Sequence, residues 1–347
     1  MTQLKLAVAG AGIIGQAHIA ILAQSSRCTL SAIVDPSPAA VATASQAGVP
    51  LYTSLAALLA AGKPDGIVLA TPNHLHLPQA LECIAAGVPI LLEKPIAATL
   101  AEGLQLQKVA EETSARVLIG HHRAHSPIMA KAREMVGSGK LGKLVSVVGS
   151  AQFFKPDDYF ASGPWRTQPG GGPILINLIH EVHNLRMLCG DITAVQAFAS
   201  NATRGFAVED TVAINLRFAS GVLGSFMLSD TAASARSWEQ TSQENPAYTS
   251  YADEDCYLVA GTLGSLAVPT MRLKTYPRAE DRSWWKAFEV SVVGMVRDDP
   301  LKRQMDHFAD VIEGKAAPLV SARDGVQNLR VTEAITQAAK TGLVVTI

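Results

Sequence analysis

Short apolar runs alternate with helix-like segments through the first 120 residues, and few folds accommodate that rhythm. The runs are Leu4–Ala9, Thr29–Val34, Gly66–Ala70, Pro89–Leu92 and Arg116–Gly120. Each has the length and continuous apolar character of a strand buried on both faces. Helical patterns over Ile14–Gln24, Pro38–Ala47, Ser54–Ala61, Leu77–Ala86 and Thr99–Thr113 fill the gaps. Pro38 suits a first helical turn, and Gly48, Gly62 and Gly87 suit helix ends. Strand and helix in strict alternation build a parallel, doubly wound α/β sheet.

Where the first run ends and the first helix begins stands Gly10-Ala11-Gly12-Ile13-Ile14-Gly15, a G-x-G-x-x-G. The first glycine permits a tight turn, the second leaves room for a pyrophosphate, and the third allows close helix–strand packing. An anion there sits on a helix N-terminus. Asp35 follows Gly15 by 20 residues at the end of the next strand, the place of a ribose-binding acid. Thr71-Pro72-Asn73-His74-Leu75-His76, Glu93-Lys94-Pro95 and Gly120-His121-His122-Arg123 each follow a later strand. All these polar groups therefore gather at the carboxyl edge of one sheet, where open α/β folds bind ligands. No Walker lysine follows the glycine loop, so nucleotide hydrolysis is not supported.

Beyond Gly120 the rhythm changes. The chain has nine Phe, six Tyr and four Trp, and only Tyr52 precedes residue 121. Leu144–Phe153, Ile192–Ser200, Val212–Phe218, Gly221–Ser229, Cys256–Val268 and Phe288–Val293 read as strands with few helices between them. Helices are expected over about Leu175–Cys189, Leu301–Glu313 and Ala322–Thr341. A dinucleotide-binding Rossmann domain over 1–121 and an α+β domain with a large, mostly antiparallel sheet over 122–347 follow. After Gly170-Gly171-Gly172-Pro173, one helix carries Asn177, His180 and Asn184 at i, i+3 and i+7, on a shared face. His180-Glu-Val-His183 lacks the four-residue histidine spacing of a zinc helix, so no metal is expected.

Charge and composition narrow the partners. With 29 basic against 30 acidic residues the net charge is −1, which leaves no electrostatic footprint for nucleic acid or an anionic membrane. No apolar stretch reaches the roughly 18 residues of a membrane span. Leu4–Ala9 reads as a strand rather than a secretory signal, and Cys28, Cys83, Cys189 and Cys256 are too scattered for a disulfide framework. A cytoplasmic protein with reduced cysteines is expected.

Taken in order, these motifs resemble the glucose–fructose oxidoreductase / inositol dehydrogenase / MocA (Gfo/Idh/MocA) family of NAD(P)-dependent oxidoreductases. The likeness covers essentially the whole chain and rests on Val8–Gly15, Thr71–His74, Glu93–Pro95, Gly170 through His180, and the closing Phe308–Gly342 region. The resemblance implies that Lys94 and His180 are catalytic and that the Lys94–Pro95 bond is cis. It implies cofactor contacts from Gly10, Gly12, Ile13, Ile14, Gly15, Asp35, Thr71, Pro72, Asn73, His76, Glu93, Lys94 and His122. Trp165, Arg166, Asn177 and His180 are the expected substrate residues. NAD is the expected cofactor, ahead of NADP, because Asp35 repels a 2′-phosphate and no Arg or Lys occurs between it and Lys63. A homodimer or homotetramer is implied as well. The chain departs from the family pattern at Ile176, four residues before His180, where the family carries Asp. The expected activity is hydride transfer with a secondary alcohol or ketone of a sugar or polyol. Its alternatives are a dehydrogenase of a non-sugar alcohol such as a dihydrodiol, and a non-catalytic NAD-binding regulator.

Overall fold

Two units make up the computed structural model, which describes residues 3–347. One is formed by the chain up to His125 with Pro300–Leu329, the other by Ser126–Asp299 with Arg330–Ile347. The expected boundary at 121 thus falls within a few residues of the first crossing. The segment 300–329, expected in the second domain, belongs to the first unit instead.

The first unit holds six parallel strands, β1 (Leu4–Ala9), β2 (Cys28–Val34), β3 (Leu51–Tyr52), β4 (Gly66–Leu69), β5 (Ile90–Glu93) and β6 (Val117–Gly120). Their order, β3-β2-β1-β4-β5-β6, is that of the dinucleotide-binding fold. Helices cover both faces, so Leu6, Ile67, Val68, Leu69, Ile90, Leu91 and Leu92 are fully buried. Each such side chain contributes about 1.5–3 kcal/mol of burial free energy, which is why these runs are apolar at every position rather than alternately. Thr99 opens the helix Leu100–Thr113 with a reciprocal capping box: its hydroxyl accepts from Glu102 N, and the Glu102 carboxylate accepts from Thr99 N.

Segment 300–329 joins this unit for visible reasons. The helix Pro300–Ile312 lays Phe308 and Ile312 against Gly66, where a Cβ would lie 2.6 Å from Ile312. Ile119 N donates to Val320 O at 2.9 Å, and Arg27 pairs with Asp310 and Glu313 at 2.7 Å each.

The second unit is built on nine strands, β7 (Leu144–Gln152), β8 (Ile192–Ser200), β9 (Thr211–Phe218), β10 (Leu223–Ser229), β11 (Tyr257–Gly261), β12 (Gly264–Val268), β13 (Arg272–Thr275), β14 (Glu289–Val292) and β15 (Val345–Thr346). They run in the order β14-β13-β12-β11-β7-β10-β9-β8-β15, antiparallel except for the β7–β10 pair. The single strand expected over Cys256–Val268 is instead the hairpin β11–β12, turning through Thr262 and Leu263. The helix Pro127–Gly137, capped by the Ser126 hydroxyl, was not anticipated. One sheet face buries Val147, Ile214, Phe226, Leu228, Tyr257 and Val259 under the helix that follows the triple glycine.

Candidate functional site

The glycine loop has the form its spacing predicts. Gly10 adopts φ +90°, and a Cβ there would lie 2.4 Å from Ala70 O. At Gly15 a Cβ would lie 1.9 Å from Gly10 O. Both positions are therefore glycine for the protein's own packing. Gly12 differs: nothing lies within 4 Å of its Cβ position, so the chain itself does not require glycine there. The helix Ile13–Gln24 opens at Gly12 with no side-chain cap and no acidic residue in its first turn. Its first N–H groups and the dipole's positive end are thus available to an anion. Ile13 is 82% exposed and Ile14 partly so.

Asp35 closes this loop from the end of β2. One carboxylate oxygen accepts from Ala11 N and the other from Ser37 N, both at 2.8 Å. Partial burial pushes its pKa up, but the hydrogen bonds from Ser37 and Ala11 outweigh that, and the net shift is downward. The carboxylate stays charged at neutral pH, a ready acceptor for a ribose hydroxyl and a poor neighbour for a phosphate. Asp35→Ser should therefore narrow the preference for NAD over NADP, as read from kcat/KM with each cofactor. A wild-type enzyme more efficient with NADP would overturn the expectation.

Along the same edge, Pro72 and Asn73 are exposed after β4. His76 is fully buried, with Nδ1 2.7 Å from Pro95 O and Nε2 2.9 Å from Thr71 O. Its ring sits between the two loops with both nitrogens facing carbonyl oxygens rather than a cofactor, and in the neutral form that burial favours one of them donates. The Thr71 hydroxyl donates to Gln79 at 2.6 Å. Glu93, at the end of β5, is buried against His18 of the glycine-loop helix, Oε1 to Nε2 2.8 Å. Sequence reasoning missed His18; it stands eight residues after Gly10, on the buried side of the helix. Burial alone would raise the Glu93 pKa, but the His18 hydrogen bond and the charges of His18, His122 and Lys94 bring it down. Gly120 is glycine because the Glu93 carboxyl carbon would lie 2.8 Å from its Cβ. On this braced platform stands Lys94, half-buried, ahead of a cis Lys94–Pro95 bond. His122, which follows β6, is half-buried as well.

In the second unit, Gly170 and Gly172 take positive φ. A Cβ on Gly171 would lie 2.7 Å from the Trp165 and Arg166 carbonyls, and one on Gly172 would lie 2.6 Å from the Glu209 carboxylate. The turn thus needs all three glycines. It leads into a π-helical turn, Ile174–Leu178, and then the α-helix Ile179–Cys189. Wide turns of that kind occur disproportionately at functional sites. Asn177 is half-buried, and its Oδ1 accepts from Lys155 Nζ at 2.7 Å. His180 is 7% exposed. The expected polar face ends there: Asn184 is fully buried and donates to the Tyr257 hydroxyl at 3.0 Å, while that hydroxyl donates to Glu181. Trp165 is 58% exposed, and the Arg166 guanidinium lies 3.9 Å from the Tyr159 ring centre and bonds Tyr159 O, within its own loop. Trp238 is core, packed by Tyr257; Trp284 and Trp285 form an exposed edge-to-face pair. All four cysteines are buried and free, and among the described residues no cluster of metal-ligating side chains occurs. No helix is long and apolar enough to cross a membrane among those residues.

A Rossmann sheet in the order above, an uncapped glycine-loop helix and a charged acid at the end of β2 define a dinucleotide-binding protein with a second α+β unit. The open space at Gly12 and the free first-turn N–H groups fit the pyrophosphate of NAD, and Asp35 fits its adenosine ribose. The chain belongs to the Gfo/Idh/MocA oxidoreductase family. Residues 4–121 match the profile described as "Oxidoreductase family, NAD-binding Rossmann fold", and residues 129–267 match the family's C-terminal domain. Among similar proteins is the rhizopine catabolism protein MocA of Rhizobium meliloti, 32% identical over 190 residues, or 55% of this chain and 58% of that one. The match thus spans a little over half of that relative. The 1,5-anhydro-D-fructose reductase of Ensifer adhaerens is 27% identical over 84% of this chain and 82% of its own. The WlbA dehydrogenase of Bordetella pertussis, solved with NADH and UDP-GlcNAcA, superposes with a TM-score of 0.78 at 24% identity, over 100% and 99% of the two chains.

Proposed function

We propose that this protein is an NAD-dependent dehydrogenase acting on a secondary alcohol, or its ketone, of a sugar or polyol. The observation that carries the reading is Lys94, set on the buried Glu93–His18 brace at the sheet edge that also bears the glycine loop and Asp35. NAD supplies the hydride acceptor at its nicotinamide C4. The chain has then to orient the carbinol and take up one proton for each hydride that leaves. Lys94 hydrogen-bonds the reacting oxygen, and His180 carries the proton, as an imidazole does near neutral pH. Asn177 and Trp165 offer the substrate an amide and a flat apolar wall, the usual mixture in small-molecule sites. Arg166 contributes through the loop it ties together.

Self-association fits the second sheet, whose outer face presents Phe198, Leu223, Met227, Val148 and Leu258, with Leu258 paired to Val148 across strands. A monomer by sedimentation would remove that part of the reading. Ile176, where the family has Asp, favours a rival, a regulator that binds NAD without turnover. A panel of polyols, keto-sugars and dihydrodiols with NAD or NADH separates the readings. Turnover of polyols or keto-sugars supports the proposal; turnover of dihydrodiols alone, or none, overturns it in favour of the matching rival.

A further inference from the structure

Lys155 lies three residues beyond the end of β7, and nothing in the expected machinery uses it. Its backbone is fixed on both sides: Lys155 N donates to Asp230 O at 2.9 Å, and Arg204 Nη2 donates to Lys155 O at 2.8 Å. Arg204 is itself locked to Asp230, Nε to Oδ1 at 3.0 Å. The side chain is buried between the rings of Phe153 and Tyr159, with Nζ 5.5 and 4.9 Å from their centres. From there the ammonium gives its short hydrogen bond, 2.7 Å, to the neutral Asn177 amide, and stays 3.6 Å from the Asp230 carboxylate. A lysine present only to neutralise Asp230 would close on the carboxylate first.

That choice has a consequence for Asn177. An ammonium has three donors and no acceptor, so only Oδ1 of the amide can face it. The Nδ2 group is thereby turned the opposite way. No acceptor for it occurs among the described residues, and Asn177 is half-buried rather than sealed. Two N–H donors are thus held in a fixed direction, three residues before His180 on the same helix. We propose that Lys155 is a positioning residue that locks the Asn177 amide with its N–H donors outward, so that the second unit selects a substrate oxygen able to accept them, a hydroxyl or carbonyl beside the reacting carbon. The inference rests on the dehydrogenase reading above. It also gives the chain a substitute for orientation by the family acid, absent at Ile176.

Burial pulls the Lys155 pKa down to about 8, with Asp230 opposing and Arg204 assisting the fall. The other groups facing it are Glu239, Glu209 and Tyr159, and His180 follows on the Asn177 helix. Above about pH 8 the charge-assisted bond to Oδ1 becomes an ordinary one, roughly half as strong, and the amide loses its fixed direction.

The test has two arms. In 15N-labelled wild-type protein, the Asn177 Nδ2 resonances, assigned by their loss in Asn177→Ala, should shift with a midpoint near pH 8. In steady-state kinetics, kcat/KM for the best panel substrate should fall about five- to tenfold along an alkaline limb with the same midpoint. Lys155→Met should cost about tenfold at pH 7, mostly through KM, and abolish the limb. Lys155→Arg, which keeps its charge, should recover most of that loss and also lack the limb. A limb arising from His180 or a carboxylate would persist in Lys155→Arg and overturn the proposal. So would an Asn177 amide that does not respond near pH 8, whether or not Lys155→Met folds. If the amide titrates while no sugar or polyol is turned over, the positioning holds and the dehydrogenase reading fails.

Discussion

Lys94→Ala should lower turnover of every substrate by at least about 10³-fold, while NAD binds within several-fold of wild type. The magnitude reflects the loss of a donor aimed at the oxygen where charge develops, roughly 10²–10³-fold for one such donor, together with the loss of the hydrogen bond that holds that oxygen in line for its proton transfer to His180. Cofactor affinity survives because the expected contacts to its pyrophosphate and adenosine ribose lie on other elements. The glycine loop follows β1, and Asp35 follows β2 and bonds Ala11 N through its own carboxylate. The fold survives as well. The buried brace is between the Glu93 and His18 side chains, and alanine at 94 removes neither. NADH fluorescence titration should give the near-unchanged affinity, and thermal melting a near-unchanged Tm. Residual turnover within tenfold of wild type would take Lys94 out of the chemistry.

Most of the first unit is legible in its residues alone. β1 falls at Leu4–Ala9 as expected, and the other long strands differ by a residue or two at their ends. Such runs announce themselves because a strand covered on both faces must be apolar throughout. β3, only Leu51–Tyr52, is too short to carry any periodicity, and so the sheet has one strand more than expected. The hairpin β11–β12 was readable in principle. Gly261 and Gly264 bracket two residues, but continuous apolar character on either side masked the turn. Segment 300–329 was not readable as part of the first unit, because an amphipathic helix states which face it buries and not against what.

The site divides in the same way. Glycine spacing and the distance to Asp35 encode local backbone geometry, and the structure reproduces both. His76 and Asn184 were placed by sequence adjacency, and tertiary packing gave their polar atoms other partners: two carbonyls for His76, the Tyr257 hydroxyl for Asn184. His18 and Lys155 act across 75 and 22 residues of chain, respectively, and no local pattern marks such partners.

His180→Ala should lower kcat by roughly 10²–10⁴, the range for removing a positioned acid–base group, with NAD affinity retained. The helix that bears it is held independently of the imidazole. Its start is fixed by Ile174 N donating to Glu209 at 3.0 Å, and its middle by Asn184 and Glu181 on the Tyr257 hydroxyl. A loss of activity therefore reports chemistry rather than unfolding, and near-ultraviolet circular dichroism of the variant should match wild type. If Lys94 and His180 serve one proton-transfer step, the double variant should be little worse than the poorer single one, because groups acting as a unit are strongly non-additive. Independent roles would instead multiply the two losses. Should His180→Ala keep a near wild-type kcat, the proton leaves by another route. Tyr159 is then the first suspect, its phenol pKa raised by burial yet opposed by the Arg166 charge on its ring, and His183, one turn from His180, is the second.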